Sequence, residues 1–426
     1  MPLLTRATRP FFRLSRLLVS VFAWSMISTG ISAAPDAAQS RNVELPRIYS
    51  LSAASLVEAR KQVRESSSAL APALAQLLSE ADEALRQKPV SVMDKTSVSA
   101  SGDKHDYYSM GPYWWPDPAK PDGLPYIWRD GFSNPESAKG TDHKALGQTC
   151  RNIWTLALAY YLTDRPAYAE QAALLARVWF LDPATRMNPN LQYGQAIPGS
   201  HEGRPTGIIE TGLLINVTDG LSLLDSSPAW TASDRNAFNT WIKTYLDWLL
   251  ASSHGRIEHD QQNNHGTWYD AQVVQFSLFL GRDSFARDYL IGARSRRLDE
   301  HIAADGSQPS EMTRTASLPY SVFNLRGLVT LAQQAGHVGL DWWIDDAKHD
   351  DALRRAVVYL APYMDPSTPW IKGAPKTWGN RRELRELLVL AGPPLSAAEA
   401  TALRALMAKE PFNKERARLF LLPPSP

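Results

Sequence analysis

Apolar residues recur every three or four positions through most of the chain, the spacing that lets an α-helix bury one face. This spacing first appears over residues 51–85, where Leu70, Leu74 and Leu77 recur. From residue 144 onward, one such segment follows another, and short Pro, Gly or Asp punctuation separates them. Helices are predicted at residues 144–162, 166–181, 204–224, 232–251, 264–280, 284–303, 319–336, 350–361, 381–391 and 396–409.

This succession predicts an all-α fold in which helical hairpins bury their apolar faces against one another. The sequence has no convincing strand alternation and no βαβ rhythm with a Gly-rich phosphate loop. The closed arrangement is an (α/α) toroid or barrel, here of about six to seven hairpins, with loops at one end shaping a cleft. An open helical solenoid is the alternative, but no fixed-period repeat supports it. Because the segment after Glu410 is short and Pro-rich, residues 38–426 are predicted to form a single domain.

The first residues have the pattern of a targeting segment. Four arginines precede an apolar run over residues 17–31, and small residues follow it. Residues 1–37 are therefore predicted to be a signal peptide, with cleavage after Ala37. The apolar run is shorter than the roughly 20 residues of a membrane-spanning helix. We expect an exported, periplasmic protein without stable membrane insertion; a retained N-terminal anchor is the alternative.

A long segment over residues 90–141 lacks helical periodicity and is rich in Pro, Gly and aromatic residues. Its centre reads SGDKHDYYSMGPYWWPDPAKPDGLPYIWRDG. Long loops within domains are often functional, and aromatic side chains at this density are buried or bind a flat partner. Sugar rings present apolar C–H faces that stack on such side chains. The segment is thus predicted to form a wall of a carbohydrate groove, or else a loop that its own aromatic residues pin to the protein.

Composition excludes several other classes of protein. The formal net charge is +1, so nothing marks the chain as a nucleic-acid binder. Cys150 is the only cysteine, which excludes an intramolecular disulfide and a cysteine-based zinc site. His254 and His259 do not have the spacing of three or four that places two residues on one helix face. We expect no metal or other cofactor in the chemistry, and the sequence does not indicate an oligomeric state.

Polar residues suited to chemistry are concentrated in three clusters. The stretch QQNNHGTWYDAQ, residues 261–272, begins a predicted helix. A helix cap explains one of its asparagines, but packing needs neither the second asparagine nor the adjacent histidine. The clusters are Asn264, His265, Trp268 and Tyr269 in this stretch; Glu311, Arg314, Ser317 and Tyr320 in DGSQPSEMTRTASLPYSVFN; and His201, Arg204 and Glu210 in HEGRPTGIIET.

A set of Asn, His, Arg and Tyr suits β-elimination at a uronic acid. The reaction removes the weakly acidic C5 proton, so donors such as Asn264 and Arg314 must stabilise the charge that develops at the neighbouring carboxylate. A base takes this proton and an acid protonates the departing O4. Tyr320 is the candidate for both steps, because a phenol of pKa near 10 becomes a usable base beside positive charge. In β-1,4-linked mannuronate and glucuronate, the proton and O4 leave from the same face, so one tyrosine can serve both.

Other interpretations of these residues stay open. Most glycoside hydrolases need paired carboxylates, and Glu210 with Glu311 is the candidate pair for a hydrolase on an α/α barrel. A non-catalytic uronan-binding protein would keep only the aromatic groove. Taken singly, Arg314 can fix its loop by an ion pair with Glu311. Tyr320 can fill the core, and His265 can be a structural histidine.

Four stretches resemble the alginate lyase superfamily, most closely polysaccharide lyase family 38 and more distantly family 5. They are the aromatic segment, RPTGIIET, NNHGTWYDAQ and RTASLPYSVFNL, which together span residues 101–325. The resemblance implies an α/α toroid of about seven hairpins. It assigns neutralisation of the substrate carboxylate to Asn264, and the active-site histidine to His265. Arg314 matches the family's arginine, and Tyr320 the tyrosine that acts as acid and base.

The resemblance also implies an activity. The protein would be a polysaccharide lyase that cleaves 1,4-linked uronans, alginate or glucuronan, and leaves 4,5-unsaturated ends. Its partner would therefore be an anionic polysaccharide. Mannuronate and glucuronate differ only at C2, so the preference rests on contacts in the pocket. The candidates for lining the groove are His105, Tyr108, Trp115, Arg204 and Trp268.

Overall fold

The structure, a computed structural model, describes residues 45–344, 351–365, 367–371, 381–391 and 415–420, and also residues 398, 399 and 401. The signal peptide predicted at residues 1–37 lies outside the described residues. So does most of the helix predicted at residues 396–409. Within the described ranges, no helix combines the length and the apolar character needed to cross a membrane.

Thirteen α-helices have both ends within the described residues. In chain order they are α1 (Ala53–Arg64), α2 (Ala71–Leu85), α3 (His143–Thr163), α4 (Pro166–Ala176), α5 (Leu214–Ser222), α6 (Ala232–Ala251), α7 (Ser253–His259), α8 (Asn264–Phe279), α9 (Asp283–Arg294), α10 (Pro309–Met312), α11 (Ser317–His337), α12 (Ala352–Leu360) and α13 (Arg381–Ala391). The predicted helices correspond to them, and α6 and α13 agree to the residue. The short helices α7 and α10 were not predicted, because so few residues show no periodicity.

Three predicted helices change geometry along their length. The one predicted at residues 204–224 is a 3₁₀ helix over Pro205–Leu213 that continues into α5. Both α4 and α9 end in a π-helical turn, over Arg177–Leu181 and Ser295–Asp299. Gly207 allows the 3₁₀ helix to contact another part of the chain, since a Cβ there would lie 2.7 Å from the backbone of Gly194.

Four short strands shape the loops without changing the all-α class. They are β1 (Tyr108–Met110), β2 (Trp114–Trp115), β3 (Ile127–Trp128) and β4 (Tyr193–Ala196). β1 pairs in parallel with β4, and β2 pairs antiparallel with β3, which places Trp114 opposite Trp128. Strands of two to four residues are too short for an alternating pattern to predict them.

Helices α3, α5, α8 and α11 are parallel neighbours and form the inner layer. Gly220 of α5 lies against Trp154 of α3. Gln275 of α8 donates to Asp219 of α5 at 2.6 Å, and Gln334 of α11 donates to the Ala271 carbonyl of α8 at 3.0 Å. Helices α2, α4, α6, α9 and α13 pack around this layer. The arrangement is the predicted α/α toroid, and it brings the first turns of the inner helices to one end.

A buried ion pair fixes the aromatic segment to the body of the toroid. The Lys95 Nζ atom lies 2.9 Å from Asp142 Oδ2, and neither side chain is exposed. Asp142 also accepts a hydrogen bond from the Tyr108 backbone at 2.9 Å. Lys95 donates to the carbonyl groups of Val92 and Lys104 at 2.7 and 2.6 Å. The two ends of the segment are thus held together in front of α3.

Candidate active site

The candidate residues lie where the inner helices begin. Asn264 is the first residue of α8, Ser317 the first of α11, and Pro205 the first of the 3₁₀ helix before α5. The first turn of a helix carries unpaired N–H groups and a partial positive charge. An end of the toroid where several helices begin therefore favours an anionic ligand.

Asn264 is oriented by a buried carboxylate. Its backbone N–H donates to Glu311 Oε1 at 2.6 Å, and its Nδ2 lies 3.0 and 2.9 Å from the two oxygens of Glu311. Asn263 caps α8 instead, accepting from the His265 backbone at 2.9 Å. The Oδ1 atom of Asn264 is buried and has no hydrogen-bond partner among the described residues. The two asparagines thus have different roles, and only Asn263 is a cap.

His265 is held by a second buried carboxylate. Its Nδ1 lies 2.6 Å from Glu258 Oε1, and Glu258 has no exposed surface. A carboxylate at one ring nitrogen sets the tautomer and the orientation of the imidazole. The other nitrogen, Nε2, is then the one available to a ligand. Glu258 belongs to α7, the short helix that the sequence pattern did not predict.

Tyr320 lies between a second phenol and a guanidinium. Its hydroxyl is 2.6 Å from the hydroxyl of Tyr113, and the Arg314 guanidinium lies over its ring, 3.8 Å from the ring centre. Burial raises the pKa of Tyr320 above its ordinary value, and the positive charge of Arg314 acts in the opposite direction. Because burial has the larger effect, Tyr320 is protonated in the ligand-free protein.

Arg314 is paired with the aromatic segment and not with the predicted partner, Glu311. Its Nε and Nη2 atoms donate to Asp130 Oδ1 at 3.1 and 2.7 Å, and the Thr315 backbone donates to Oδ2 at 2.9 Å. Burial acts to raise the pKa of Asp130, but these hydrogen bonds hold it below its ordinary value. The ionised carboxylate therefore fixes Arg314 against Tyr320.

The buried carboxylate of Glu311 lies within electrostatic reach of both Arg314 and His265. It is 1% exposed, and burial raises the pKa of its carboxyl. The hydrogen bonds from Asn264 and the charges of Arg314 and His265 all act in the opposite direction. The structure thus brings Asn264, His265, Arg314 and Tyr320 to one end of the toroid.

Arg204 lies beside this group and is held by strained backbone. Its Nε and Nη2 atoms donate to the carbonyl and side-chain oxygens of Gln195 at 2.9 and 2.8 Å, and its guanidinium lies over the Trp114 ring. Gln195 has φ of +51°, a left-handed conformation that costs a non-glycine residue about 1 kcal/mol or more. The strain is consistent with a functional position for the Arg204 guanidinium.

The other residues predicted to line the groove differ in burial and in their contacts. Trp268 is 9% exposed and stacks on Phe323 in the interface between α8 and α11, which leaves little of its surface to contact a ligand in the groove. His105 is bonded to the Arg186 carbonyl at 2.7 Å, in the region that follows α4. Tyr108 and Trp115 are half-buried in β1 and β2. His201, from the third cluster, is exposed; its ring is bonded to the Ser200 hydroxyl, and its backbone is paired with that of Ile197.

The carboxylates proposed for a hydrolase are engaged in other bonds. Glu311 accepts all its hydrogen bonds from Asn264. Glu210 accepts from the hydroxyls of Tyr107 and Ser109 at 2.6 and 2.7 Å.

His259, one of the two histidines considered as metal ligands, is bonded to its neighbour Asp260. Among the described residues, no three His, Cys, Asp or Glu side chains converge as metal ligands.

Three further residues of the site were not singled out from the sequence. Tyr113 is one of many aromatic residues in its segment, and Asp130 stands in the turn WRDG. Glu258 precedes the NNHG stretch without a motif of its own. Arg314 needs an acidic partner, and this need could have pointed to Asp130. The sequence alone does not distinguish Asp130 from other acidic residues as that partner.

Comparison with known proteins relates this site to a family. A family model described as Alginate lyase matches residues 91–370. The crystal structure of an alginate lyase from Bacteroides ovatus is similar, with a TM-score of 0.82 and 35% identity over 88% of this chain and 99% of that one. No curated protein matches the sequence significantly.

Two structures of a more distant enzyme share the fold. Alginate lyase A1-III from Sphingomonas species A1 gives a TM-score of 0.50 with 16% identity, over 90% of this chain and 97% of that one. A variant of alginate lyase A1-III complexed with tetrasaccharide gives 0.53 with 16% identity, over 90% and 98%. At this identity the likeness concerns the fold alone. The match of the family model over more than half of the sequence, together with the 35% identity to the Bacteroides ovatus enzyme, shows that the chain belongs to the alginate lyase family and is a polysaccharide lyase.

Proposed function

We propose that this enzyme cleaves 1,4-linked uronans by β-elimination, with mannuronate-rich alginate or glucuronan as substrate and 4,5-unsaturated uronate ends as product. One observation carries the proposal: the hydroxyls of Tyr320 and Tyr113 are 2.6 Å apart beside Arg314, at the end of the toroid where α8 begins with Asn264 and His265. The similar protein from Bacteroides ovatus, named as an alginate lyase, supports the same class of substrate.

The first task of the site is to stabilise charge on the uronate carboxylate. Removal of the C5 proton builds enolate-like charge there, and fixed donors stabilise it without reorganising. We assign this position to the Arg314 guanidinium, to Asn264, whose Nδ2 must turn one hydrogen from Glu311 to the substrate, and to His265, whose Nε2 donates when the ring is the imidazolium cation. Glu258 and Glu311 hold His265 and Asn264 in place before substrate binds.

The second task is to move two protons on one face of the sugar. Tyr320 is protonated, so it donates its proton to the departing O4 as the C4–O4 bond breaks. Tyr113 accepts the C5 proton and passes its own to Tyr320. Both phenols end neutral, and the electron pair of the C5–H bond becomes the C4–C5 double bond. The charge of Arg314 favours the phenolate character that develops on Tyr320 during the transfer.

This geometry predicts a preference among uronans. Guluronate is the C5 epimer of mannuronate, so its C5 proton lies on the face opposite O4. A pair of adjacent phenols on one side of the ring serves the same-face elimination of mannuronate and glucuronate. We therefore expect polymannuronate and glucuronan to be cleaved faster than polyguluronate.

The direct test incubates the enzyme separately with polymannuronate, polyguluronate and glucuronan. Ultraviolet absorbance of the unsaturated product should rise with polymannuronate or glucuronan in step with new reducing ends. New reducing ends without absorbance would contradict elimination and indicate a hydrolase. Binding without either signal would indicate a non-catalytic uronan-binding protein.

We further propose that the enzyme is exported and works in a periplasm. The support is the sequence of residues 1–31, which has four arginines ahead of an apolar run. Fractionation of cells that produce the full chain should recover the protein, shortened at its N-terminus, outside the cytoplasm. Full-length protein in the cytoplasmic fraction would contradict this.

A further inference from the structure

A second histidine–glutamate pair lies at the start of α3, outside the groups used in the proposed mechanism. The Nδ1 atom of His143 is 3.4 Å from Glu210 Oε1. The other oxygen of Glu210 accepts from the hydroxyls of Tyr107 and Ser109. Glu210 is thus buried and fixed, whereas the side chain of His143 is 55% exposed. The buried carboxylate of Glu210 therefore holds the His143 imidazole in place while the ring stays exposed to solvent.

The surroundings of His143 favour its cationic form. The hydrogen bond to Glu210 raises the pKa of His143, while burial and the charges of Arg151 and Lys144 act in the opposite direction. The net direction is upward, so the imidazole carries more positive charge near neutral pH than an isolated histidine. The first turn of α3 adds its partial positive charge at the same place.

Arg204 connects this pair with the proposed cleavage point. The charges of Glu210 and Glu258 both act to raise the pKa of Arg204, against the dominant effect of burial, so its guanidinium lies within electrostatic reach of both. Glu258 in turn holds His265. Three basic side chains, His265, Arg204 and His143, are thus linked electrostatically through two buried glutamates, Glu258 and Glu210.

A polar cavity lies farther along α3 than His143. It has a volume of about 280 Å³ and lies between α2, α3 and the start of α5. Arg151 extends back along α3 towards His143, since its Nη1 lies 3.1 Å from the position of a Cβ on Gly147. The acidic part of the lining is on α2 and the amide part on α3 and α5: Glu80, Glu83, Gln148, Asn152 and Asn216. Arg416 also lines the cavity and pairs with Glu80 at 2.9 Å, so the α3 end, with Arg151, is the end that favours an anion.

We propose that His143 and Arg151 bind the carboxylate of a second uronate unit, at a subsite separate from the cleavage point. The inference rests on the proposed function. A uronan has a carboxylate on every sugar unit, so cations at separate positions in the protein can bind successive units of one chain. Arg151 offers a planar fork of donors and His143 a single donor. The neighbouring amides supply partners for sugar hydroxyls.

The test measures kinetics on uronan oligosaccharides of increasing length. His143→Gln and Arg151→Gln are compared with Arg287→Gln, which removes the same charge as the second variant from the exposed face of α9. On long substrates, each subsite variant should raise KM by roughly fivefold, about the free energy of one exposed ion pair. The increase should be smaller in high salt. On the shortest oligosaccharide that is cleaved, KM should match that of the parent, because this substrate does not reach His143.

Two kinetic results would overturn the subsite. One is an unchanged KM on long substrates in both variants. The other is an equal rise at every length, which would mean that the substitutions disturb the cleavage point. Arg151 is exposed, so Arg151→Gln carries the test if His143→Gln folds poorly by circular dichroism.

The proposed function fails in a different way from the subsite. In that case the parent enzyme itself releases no unsaturated product from any uronan. Calorimetric titration of the parent and both variants with polymannuronate then decides the subsite, since weaker binding in the variants supports it and equal binding overturns it. Arg287→Gln should bind as the parent does.

Discussion

The proposed active site joins two regions that are built differently. In the helical region, buried carboxylates orient the functional side chains, because Glu258 holds His265 and Glu311 holds Asn264. The aromatic segment, residues 90–141, contributes Tyr113 and also Asp130, which pairs with Arg314. In the proposed mechanism the two regions have different roles: the helical region stabilises charge on the substrate, and the segment completes the machinery for proton transfer.

The two regions also differ in how their own positions are secured. Among the described residues, neither Glu258 nor Glu311 forms an ion pair with Lys or Arg, so His265 and Asn264 are what compensates these buried carboxylates. The aromatic segment depends on the Lys95 ion pair at its ends. Substitutions of these residues in the helical region should therefore change both kcat and the free energy of unfolding. In the segment, a substitution can change one of these quantities without the other.

The largest expected effect is on the phenol pair. Tyr320→Phe removes one oxygen from an intact ring, so kcat should fall by about 10³ to 10⁴ while KM stays near that of the parent. Tyr113→Phe should lower kcat by about 10², since water can replace a relay more readily than the final donor. Steady-state rates of unsaturated product measure both.

Tyr160→Phe is the control, because it removes a hydroxyl from the far part of α3. Its kcat should equal that of the parent. Unchanged turnover in Tyr320→Phe would remove Tyr320 from the mechanism. Unchanged turnover in Tyr113→Phe would assign proton abstraction to the helical region, with Tyr320 itself or His265 as the candidates.

The next effect is on the stability of the segment. Lys95→Met leaves Asp142 buried without its cation, which should lower the free energy of unfolding by about 3 to 5 kcal/mol. Lys243→Met is the matched control, since its ion pair with Asp247 is exposed and should contribute less than about 1 kcal/mol. Urea denaturation measures both. Similar losses in the two variants would show that the buried pair does not secure the segment.

Asn264→Ala should lower kcat by about 10², the usual loss of one donor to developing charge. Affinity should fall less, because the donor matters most in the transition state. The melting temperature should also fall, since Glu311 loses its side-chain donor. A variant that loses only affinity would contradict the neutralising role of Asn264.

Glu258 should act through His265. Glu258→Gln keeps a hydrogen-bond acceptor for Nδ1 and should cost about tenfold in kcat, whereas Glu258→Ala should cost more because the ring loses its orientation. Rescue by glutamine relative to alanine distinguishes positioning from packing. If the two variants lose equal activity, Glu258 is not needed as an acceptor.

The smallest expected effect is a pH dependence at the proposed subsite. Because the pKa of His143 is raised, its positive charge is complete below that pKa and is lost as pH rises through it. KM for long uronans should therefore increase by a few-fold with rising pH, about the contribution of one exposed charge. His143→Gln should abolish this part of the dependence. The same pH profile in the parent and the variant would contradict a charged role for His143.

The sequence alone determined the fold class and indicated part of the proposed site. Helical periodicity and its punctuation are local properties, so the helices and the α/α toroid were predictable from residues close together in the chain. The NNHG stretch identified Asn264 and His265 because a helix start that only packs does not need both.

Only the tertiary structure decided which residues meet. The hydroxyls of Tyr113 and Tyr320 are separated by 207 positions in the chain, and Arg314 and Asp130 by 184. No local pattern encodes such a pair, because its geometry depends on how the helices and the aromatic segment pack. The same reason explains why Trp268 was predicted to line the groove but is buried between α8 and α11, and why the carboxylate that orients His265 was missed.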